Sequence, residues 1–315
     1  MTDVRPRTRT TTSASASPET APPRRRRRWR PSLTALAIAA PAILVFLYFS
    51  WGPIVSSLAM SVQRVVIGGE SSFVGWENFA YVLSDPGLPQ ATLNTIYYTV
   101  LAVLFGFPVP LALAVFISEM RSRSWYFSAL AYLPVMVPPV VAILLWKFFY
   151  APDADGLFNT VLGWVGIGPL PWLNSTATAM PSIVLETTWA GAGTAIIIYI
   201  AALTSIPSEL YEAAELDGAG IWRRVWHVTL PQMRGIIATM LLLQIIGTMQ
   251  IFTEPFLFTG GGPQGATKTL LMTIYDYAFV RVDYGAATAL SVLLAASLGL
   301  LSLLYFRLTR RWSRA

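Results

Sequence analysis

The sequence predicts an all-α, polytopic membrane protein with six transmembrane helices. Three observations carry that prediction. Of 315 residues, 55% are hydrophobic and 12% charged, whereas soluble domains carry about 25% charged residues, so the surface cannot face water alone. Six apolar stretches reach the roughly 20 residues a helix needs to cross the hydrocarbon core. The basic residues sit in short runs between those stretches, the pattern of cytoplasmic loops. The net charge of +6 therefore points to membrane lipid and not to nucleic acid. With no cysteine, a disulfide framework, thiol nucleophiles and thiolate metal sites are excluded, and a lone histidine, His227, cannot form a His-cluster metal site.

In chain order, residues 1–31 read as a disordered, basic cytoplasmic tail. They are rich in Thr, Ser, Ala and Pro without apolar periodicity, so they cannot bury enough surface to fold. Five consecutive arginines at 24–28, then Trp29 and Arg30, read as a topogenic anchor in preference to a nucleic-acid or lipid patch. The apolar stretch that follows is far longer than the ~7–15 residues of a signal-peptide core, so it is taken as a span. Residues 32–315 then form one transmembrane domain.

The expected spans are 33–62, 93–117, 125–150, 180–206, 235–257 and 286–306. Several contain proline: Pro41, Pro53, Pro108, Pro110, Pro134, Pro138 and Pro139. Such residues are tolerated in a membrane bundle because neighbouring helices re-satisfy the freed carbonyls. Gly191, Ala192 and Gly193 are expected to let helices approach closely. Placing the N-terminus inside puts the tail arginines with Arg121, Arg123, Arg223, Arg224, Arg234, Arg307, Arg310, Arg311 and Arg314. Only Arg64, Lys147, Lys268 and Arg281 are left on the other side. Both termini are therefore expected in the cytoplasm. Lys147 should snorkel to the headgroups, and Trp51, Trp125, Trp146 and Tyr150 should form interfacial belts. The outside loops, 63–92, 151–179 and 258–285, are long and rich in Gly, Pro and aromatics, as where a partner docks.

Loop 207–231, between spans four and five, is the most informative segment. Pro207 and Ser208 suit a helix start. Glu209, Glu212 and Glu215 fall in its early turns, where negative charge meets the positive helix end. Leu210, Ala213 and Ala214 make a narrow apolar face, and Gly218 stops the helix. A second amphipathic piece sets Ile221, Val225 and Val228 against Arg223 and Arg224, and Pro231 should end it. A short helix of this kind suits insertion into a groove on another protein. His227 reads as a packing or surface residue.

Glu212-Ala213-Ala214, Asp217-Gly218-Ala219 and Leu230-Pro231, at this spacing in this loop, resemble the EAA loop of binding-protein-dependent ABC importer permeases. Gly156-Leu157-Phe158-Asn159 resembles an outside loop of that family's sugar permeases. So does Thr259-Gly260-Gly261-Gly262-Pro263, with Thr267, Thr269, Leu270 and Tyr275 following; the likeness is to the maltose-type oligosaccharide and glycerol-phosphate members. It covers roughly residues 92–306, with span one as an added helix. The resemblance implies a type I ABC importer transmembrane domain in the bacterial cytoplasmic membrane. It implies that Glu209, Glu212, Ala213, Ala214, Asp217 and Gly218 couple to an ATPase subunit dimer. It further implies a second homologous permease subunit and an extracytoplasmic solute-binding protein delivering a sugar or oligosaccharide. The same machinery carrying glycerol-phosphate, polyamine or another small solute is the alternative. An ATP-independent secondary transporter is a rival of another class.

The chain has no GxxxxGK[ST] motif; residues 262–269 imitate one but lack the adjacent Gly-Lys. No cofactor is expected on this chain, ATP and Mg falling to the partner ATPase, and no catalytic residue is assigned. Intramembrane polar residues usually face a cavity or a partner helix. Thr187, Gly191 and Thr194 share a face of span four by their i, i+4, i+7 spacing, and Gln244, Thr248 and Ile251 repeat it on span five. Gln250 and Glu254 lie nearby. By position these residues fall where maltose-type permeases contact sugar; the spacing alone fits inter-helix hydrogen bonding equally well.

Overall fold

A computed structural model describes residues 33–120 and 124–309. The expectations for the tail at 1–31 and for Arg121, Arg123, Arg310, Arg311 and Arg314 lie outside the described residues. Two compact units divide at Gly52 and Pro53. In the first, the described part is helical from Leu33, with Pro41 inside the helix and side chains such as Ile38, Leu44, Tyr48 and Phe49 exposed.

The second unit holds the other expected spans. Its apolar helices are Leu88–Glu119, Ala179–Thr204, Ile221–Thr248 and Tyr284–Thr309, with a bent pair, Trp125–Met136 and Pro139–Phe149. Leu104, Phe105, Phe116, Leu144, Phe148, Leu243, Leu300 and Leu303 are all more than half exposed. An apolar exterior this continuous belongs in lipid or against another subunit.

Two spans depart from the sequence expectation. Span three does not cross as one rod, because its halves meet at 96°. Pro134 starts a tight turn, and Val137 and Pro138 are extended at ψ 127° and 135°. Each precedes a proline, whose ring disfavours helical geometry in the residue before it. Span five begins at Ile221 and not near 235. Pro231 does not end the second amphipathic piece; it sits in the first turn of helix Leu230–Thr248, continuous with the preceding turns. The span then breaks after Thr248, and a short helix, Thr253–Thr259, follows.

One device explains how three prolines sit inside spans. Wide, π-type turns at Leu47–Trp51, Ala102–Gly106 and Val225–Thr229 each close on the residue just before Pro53, Pro108 and Pro231. In the second, the Phe107 amide donates to the Ala102 carbonyl at 2.8 Å. Proline lacks the amide for an ordinary turn and its ring presses on the carbonyl four residues back. The wider turn relieves that contact and restores a bond.

Span four is central, packing on spans two, three and five. At its middle Gly193 is indispensable for close approach. A Cβ there would stand 2.7 Å from the Ala131 carbonyl oxygen and 2.8 Å from Val135 Cγ2. Gly191 does not play that part, as nothing lies within 4 Å of its virtual Cβ. Gly193→Val is therefore expected to cost about 1–3 kcal/mol by overpacking, whereas Gly191→Val should leave stability unchanged. Thermal denaturation of the two purified variants checks the contrast.

An aromatic core fills the end of the unit away from loop 207–231. Trp146, Tyr150 and Phe258 are buried there with Phe149, Phe158, Trp172 and Trp189 against them. Trp146 and Tyr150 are thus core residues, not members of an interfacial belt, while Trp51 and Trp125 are exposed as expected. Lys147 is exposed, and its Nζ donates to the Leu257 carbonyl at 3.2 Å, in the last turn of helix Thr253–Thr259.

Candidate functional site

Loop 207–231 folds as its residues dictate. Helix Ser208–Leu216 has Pro207 ahead of it and Glu209 in its first turn. Gly218 adopts φ +72°. The Ala219 amide reaches the Ala214 carbonyl at 2.9 Å and the Gly218 amide the Glu215 carbonyl at 3.0 Å. That pair of bonds is a Schellman closure, which needs a left-handed residue and so favours glycine. No residue of this helix is buried. Leu216 is 90% exposed, and Trp222 and Trp226 beyond the turn are exposed too. Glu209, Glu212, Ala213 and Asp217 are exposed, with Ala214 half-buried. His227 is an exposed surface residue whose Nδ1 lies 3.0 Å from the Arg223 carbonyl oxygen.

Arg224 corrects the sequence reading. It does not lie on a solvated polar side; its side chain is 12% exposed and bonds Glu119 Oε2 at 3.1 Å and the Glu215 carboxylate. The fold thus joins residues 105 positions apart, a link invisible to local spacing.

The second feature is a cavity of about 350 Å³ walled by spans two, four and five. Seven of the eight intramembrane candidates line it: Thr187, Gly191, Thr194, Gln244, Thr248, Ile251 and Glu254. Gln250 does not. It is exposed, and its amide donates to the Ile246 carbonyl at 3.0 Å; two positions after Thr248, it lies off the face that Gln244 and Thr248 share. Span two supplies a wall that the sequence reading missed, with Tyr98, Ala102, Gly106 and Pro110. The i, i+4, i+8 spacing of Tyr98, Ala102 and Gly106 could have revealed it. A Cβ on Gly106 would stand 2.9 Å from Thr188 Oγ1, so this glycine sets the approach of spans two and four.

Four hydroxyl protons of the wall are committed. Tyr98 donates to Thr187 Oγ1 at 3.0 Å, Thr187 and Thr188 donate to the Val184 carbonyl, and Thr248 donates to the Gln244 carbonyl. Those oxygens keep free lone pairs, and the Gln244 amide and Thr194 hydroxyl can donate as well as accept, so the wall offers both kinds of partner; among the described residues the Glu254 carboxylate is its one charged group. Behind this wall Glu186 is 2% exposed, and its Oε2 has no hydrogen-bond partner among the described residues.

The loops at the far end are tied by buried polar side chains. Asn159 is 3% exposed. Its amide donates to the carbonyls of Pro152, Asp153 and Leu170, and its Oδ1 accepts from the Leu170 amide and Trp172 Nε1. In the 259–269 loop Thr267 and Thr269, both 0% exposed, donate to the carbonyls of Gly262 and Ile251. Asn94 of span two donates to Gly265 and Lys268. These motif residues therefore build the outer loops.

Asp85 accepts from the Tyr277 hydroxyl, and Arg281 lies 3.6 Å from its carboxylate. The Tyr277 bond, with the Gly87 amide and Arg281 adding to it against the cost of burial, holds the Asp85 carboxyl below its usual 3.8. A lowered folded-state value stabilises fully above the unfolded value and fades as pH falls through the folded one. The thermal-stability gap between wild type and Asp85→Asn should accordingly stay constant from pH 8 to pH 5 and close only below 3.8. A gap that narrowed between pH 7 and pH 5 would refute this.

Comparison with known proteins agrees with this geometry. Residues 106–314 match the family described as "binding-protein-dependent transport system inner membrane component". The arabinooligosaccharides transport system permease protein AraP of Bacillus subtilis (strain 168) is 32% identical, with 86% of each chain covered. The sn-glycerol-3-phosphate transport system permease protein UgpA of Brucella abortus biovar 1 (strain 9-941) is also 32% identical, over 87% of this chain and 94% of that one. Among solved structures, a bacterial ABC transporter involved in import of the acidic polysaccharide alginate contains a chain superposing with TM-score 0.78. It is 27% identical and covers 88% of this chain and 95% of its own. Loop 207–231, the outer loops after span three and the cavity lining other than Tyr98 and Ala102 fall inside the matched residues, and the chain belongs to the family of binding-protein-dependent transport system inner membrane components.

Proposed function

We propose that this chain is one of two homologous permease subunits of a bacterial ATP-driven importer, set in the cytoplasmic membrane with both termini in the cytoplasm. A dimer of ATPase subunits, holding ATP and Mg, seats on helix Ser208–Leu216. An extracytoplasmic binding protein delivers a sugar or oligosaccharide to the outer loops, and the cargo passes along the cavity of Thr187, Gly191, Thr194, Gln244, Thr248, Ile251 and Glu254. One observation carries the reading. A nine-residue helix with no buried residue, a rigid glycine closure and a fully projecting Leu216 needs a groove elsewhere to cover it. The sugar assignment is supported by the wall of acceptors and donors, which suits a ligand whose hydroxyls do both, and by the arabinooligosaccharide and alginate cargoes of similar proteins. Glycerol-phosphate is the second reading, favoured by the Brucella relative and disfavoured by the negative charge of Glu254.

Movement follows as alternating access. Closure of the ATPase dimer displaces the docking helix, and the spans rock around the cavity. The test is gentle affinity purification of the tagged chain from native membranes. A P-loop ATPase, a second permease and a binding protein should copurify, and the ligand of the binding protein names the cargo. A chain that purifies alone and moves solute in vesicles without ATP would overturn the proposal in favour of a secondary transporter.

A further inference from the structure

We infer that Arg224 is a positioning residue that passes displacement of the docking helix to two walls of the cavity; the inference rests on the importer reading above. The docking helix buries none of its residues, so no packed apolar face holds it to the spans. Beneath it lies a cavity of about 270 Å³, bordered by Glu119, Ser208, Tyr211, Glu215, Arg224 and Thr229. Beyond the short backbone links through residues 205–207 and 217–220, two polar struts carry force from this helix across the gap.

The first strut is the Arg224 guanidinium. It stands in the first turn of span five, Ile221–Thr248. It bonds Glu119, the last residue of span two, and Glu215, in the last turn of the docking helix. One side chain thus joins three helix ends. Its planar fork fixes the geometry of both bonds, as a lysine ammonium would not. Its charge also faces the negative C-terminal ends of two helices. At 12% exposure the group is screened far less than a surface pair. The second strut is the Tyr211 hydroxyl, 3.1 Å from Thr229 Oγ1, and Thr229 belongs to the wide turn ahead of Pro231. Spans two and five, which the struts reach, carry Tyr98, Gly106, Gln244 and Thr248 of the cavity. A shift of the docking helix therefore bears on the cavity without the ATPase touching it.

The experiment uses the complete complex in proteoliposomes and reads solute moved per ATP hydrolysed. The variants are Arg224→Gln, Arg224→Lys, Glu119→Gln and the Arg224→Gln/Glu119→Gln double. The expected result is an assembled complex that hydrolyses ATP, with solute per ATP lowered at least about 5-fold, the lower end of inter-site coupling. Arg224→Lys should recover part of that loss, and the double variant should be no worse than Arg224→Gln. Solute per ATP equal to wild type in Arg224→Gln overturns the inference. Should Arg224→Gln fail to assemble, Glu119→Gln, which keeps the bond to Glu215, decides by the same ratio. A wild-type complex that transports without consuming ATP instead overturns the importer reading, and this inference with it.

Discussion

Gly191→Trp is expected to abolish transport while leaving the protein folded and assembled. Gly191 lines the cavity, and nothing lies within 4 Å of where its Cβ would stand, so a new side chain enters open space. A tryptophan, the bulkiest side chain, would take up much of a cavity of about 350 Å³. Gly191→Ala adds one methyl to the same space and should transport at close to wild-type rates. Uptake of labelled solute, set beside chromatography of the purified complex, separates occlusion from misfolding. Wild-type uptake by Gly191→Trp would mean that cargo travels elsewhere.

The second large effect belongs to Gly218. Its φ of +72° places it where an L side chain costs about 1–2 kcal/mol, a factor of roughly 5–30 in population. The space around it is open, with nothing within 4 Å of a virtual Cβ, so the penalty comes from the backbone alone. The expected order of transport is Gly218→Asn above Gly218→Ala above Gly218→Val, because Asn tolerates the left-handed region and β-branched residues do not. The amount of ATPase recovered with the chain should follow the same order. If Gly218→Val recovered as much ATPase as wild type, the closure would not govern docking.

Much of the fold was legible because membrane spans are set by length and hydropathy, which a sequence displays directly. The break in span three was not. Pro108 and Pro134 look alike in the sequence, yet one is absorbed by a wide turn and the other opens a 96° bend. Consecutive Pro138 and Pro139 make the difference, by holding two residues extended. Span five was read as starting too late because Arg223, Arg224 and Arg234 interrupt its apolar run. Helical spacing found the cavity residues of spans four and five, since a face is a local property. It missed Tyr98 on span two, while Gln250, named only for its nearness to that face, is exposed. Gly191 and Gly193 show the limit best. Both are small residues of one segment, but only the packing of Ala131 and Val135 reveals that one is a contact and the other a lining.

The reading of loop 207–231 as the seat of an ATPase is the claim to test first. The chain has no cysteine, so single-cysteine variants carry one reporter each. Leu216→Cys at the tip of the docking helix and Trp76→Cys on the outer loops, both far exposed, would each be labelled with a photoactivatable maleimide in membranes holding the whole complex. The account predicts that Leu216→Cys cross-links to a P-loop ATPase and that Trp76→Cys does not. ATPase adducts from Trp76→Cys, with none from Leu216→Cys, would contradict it.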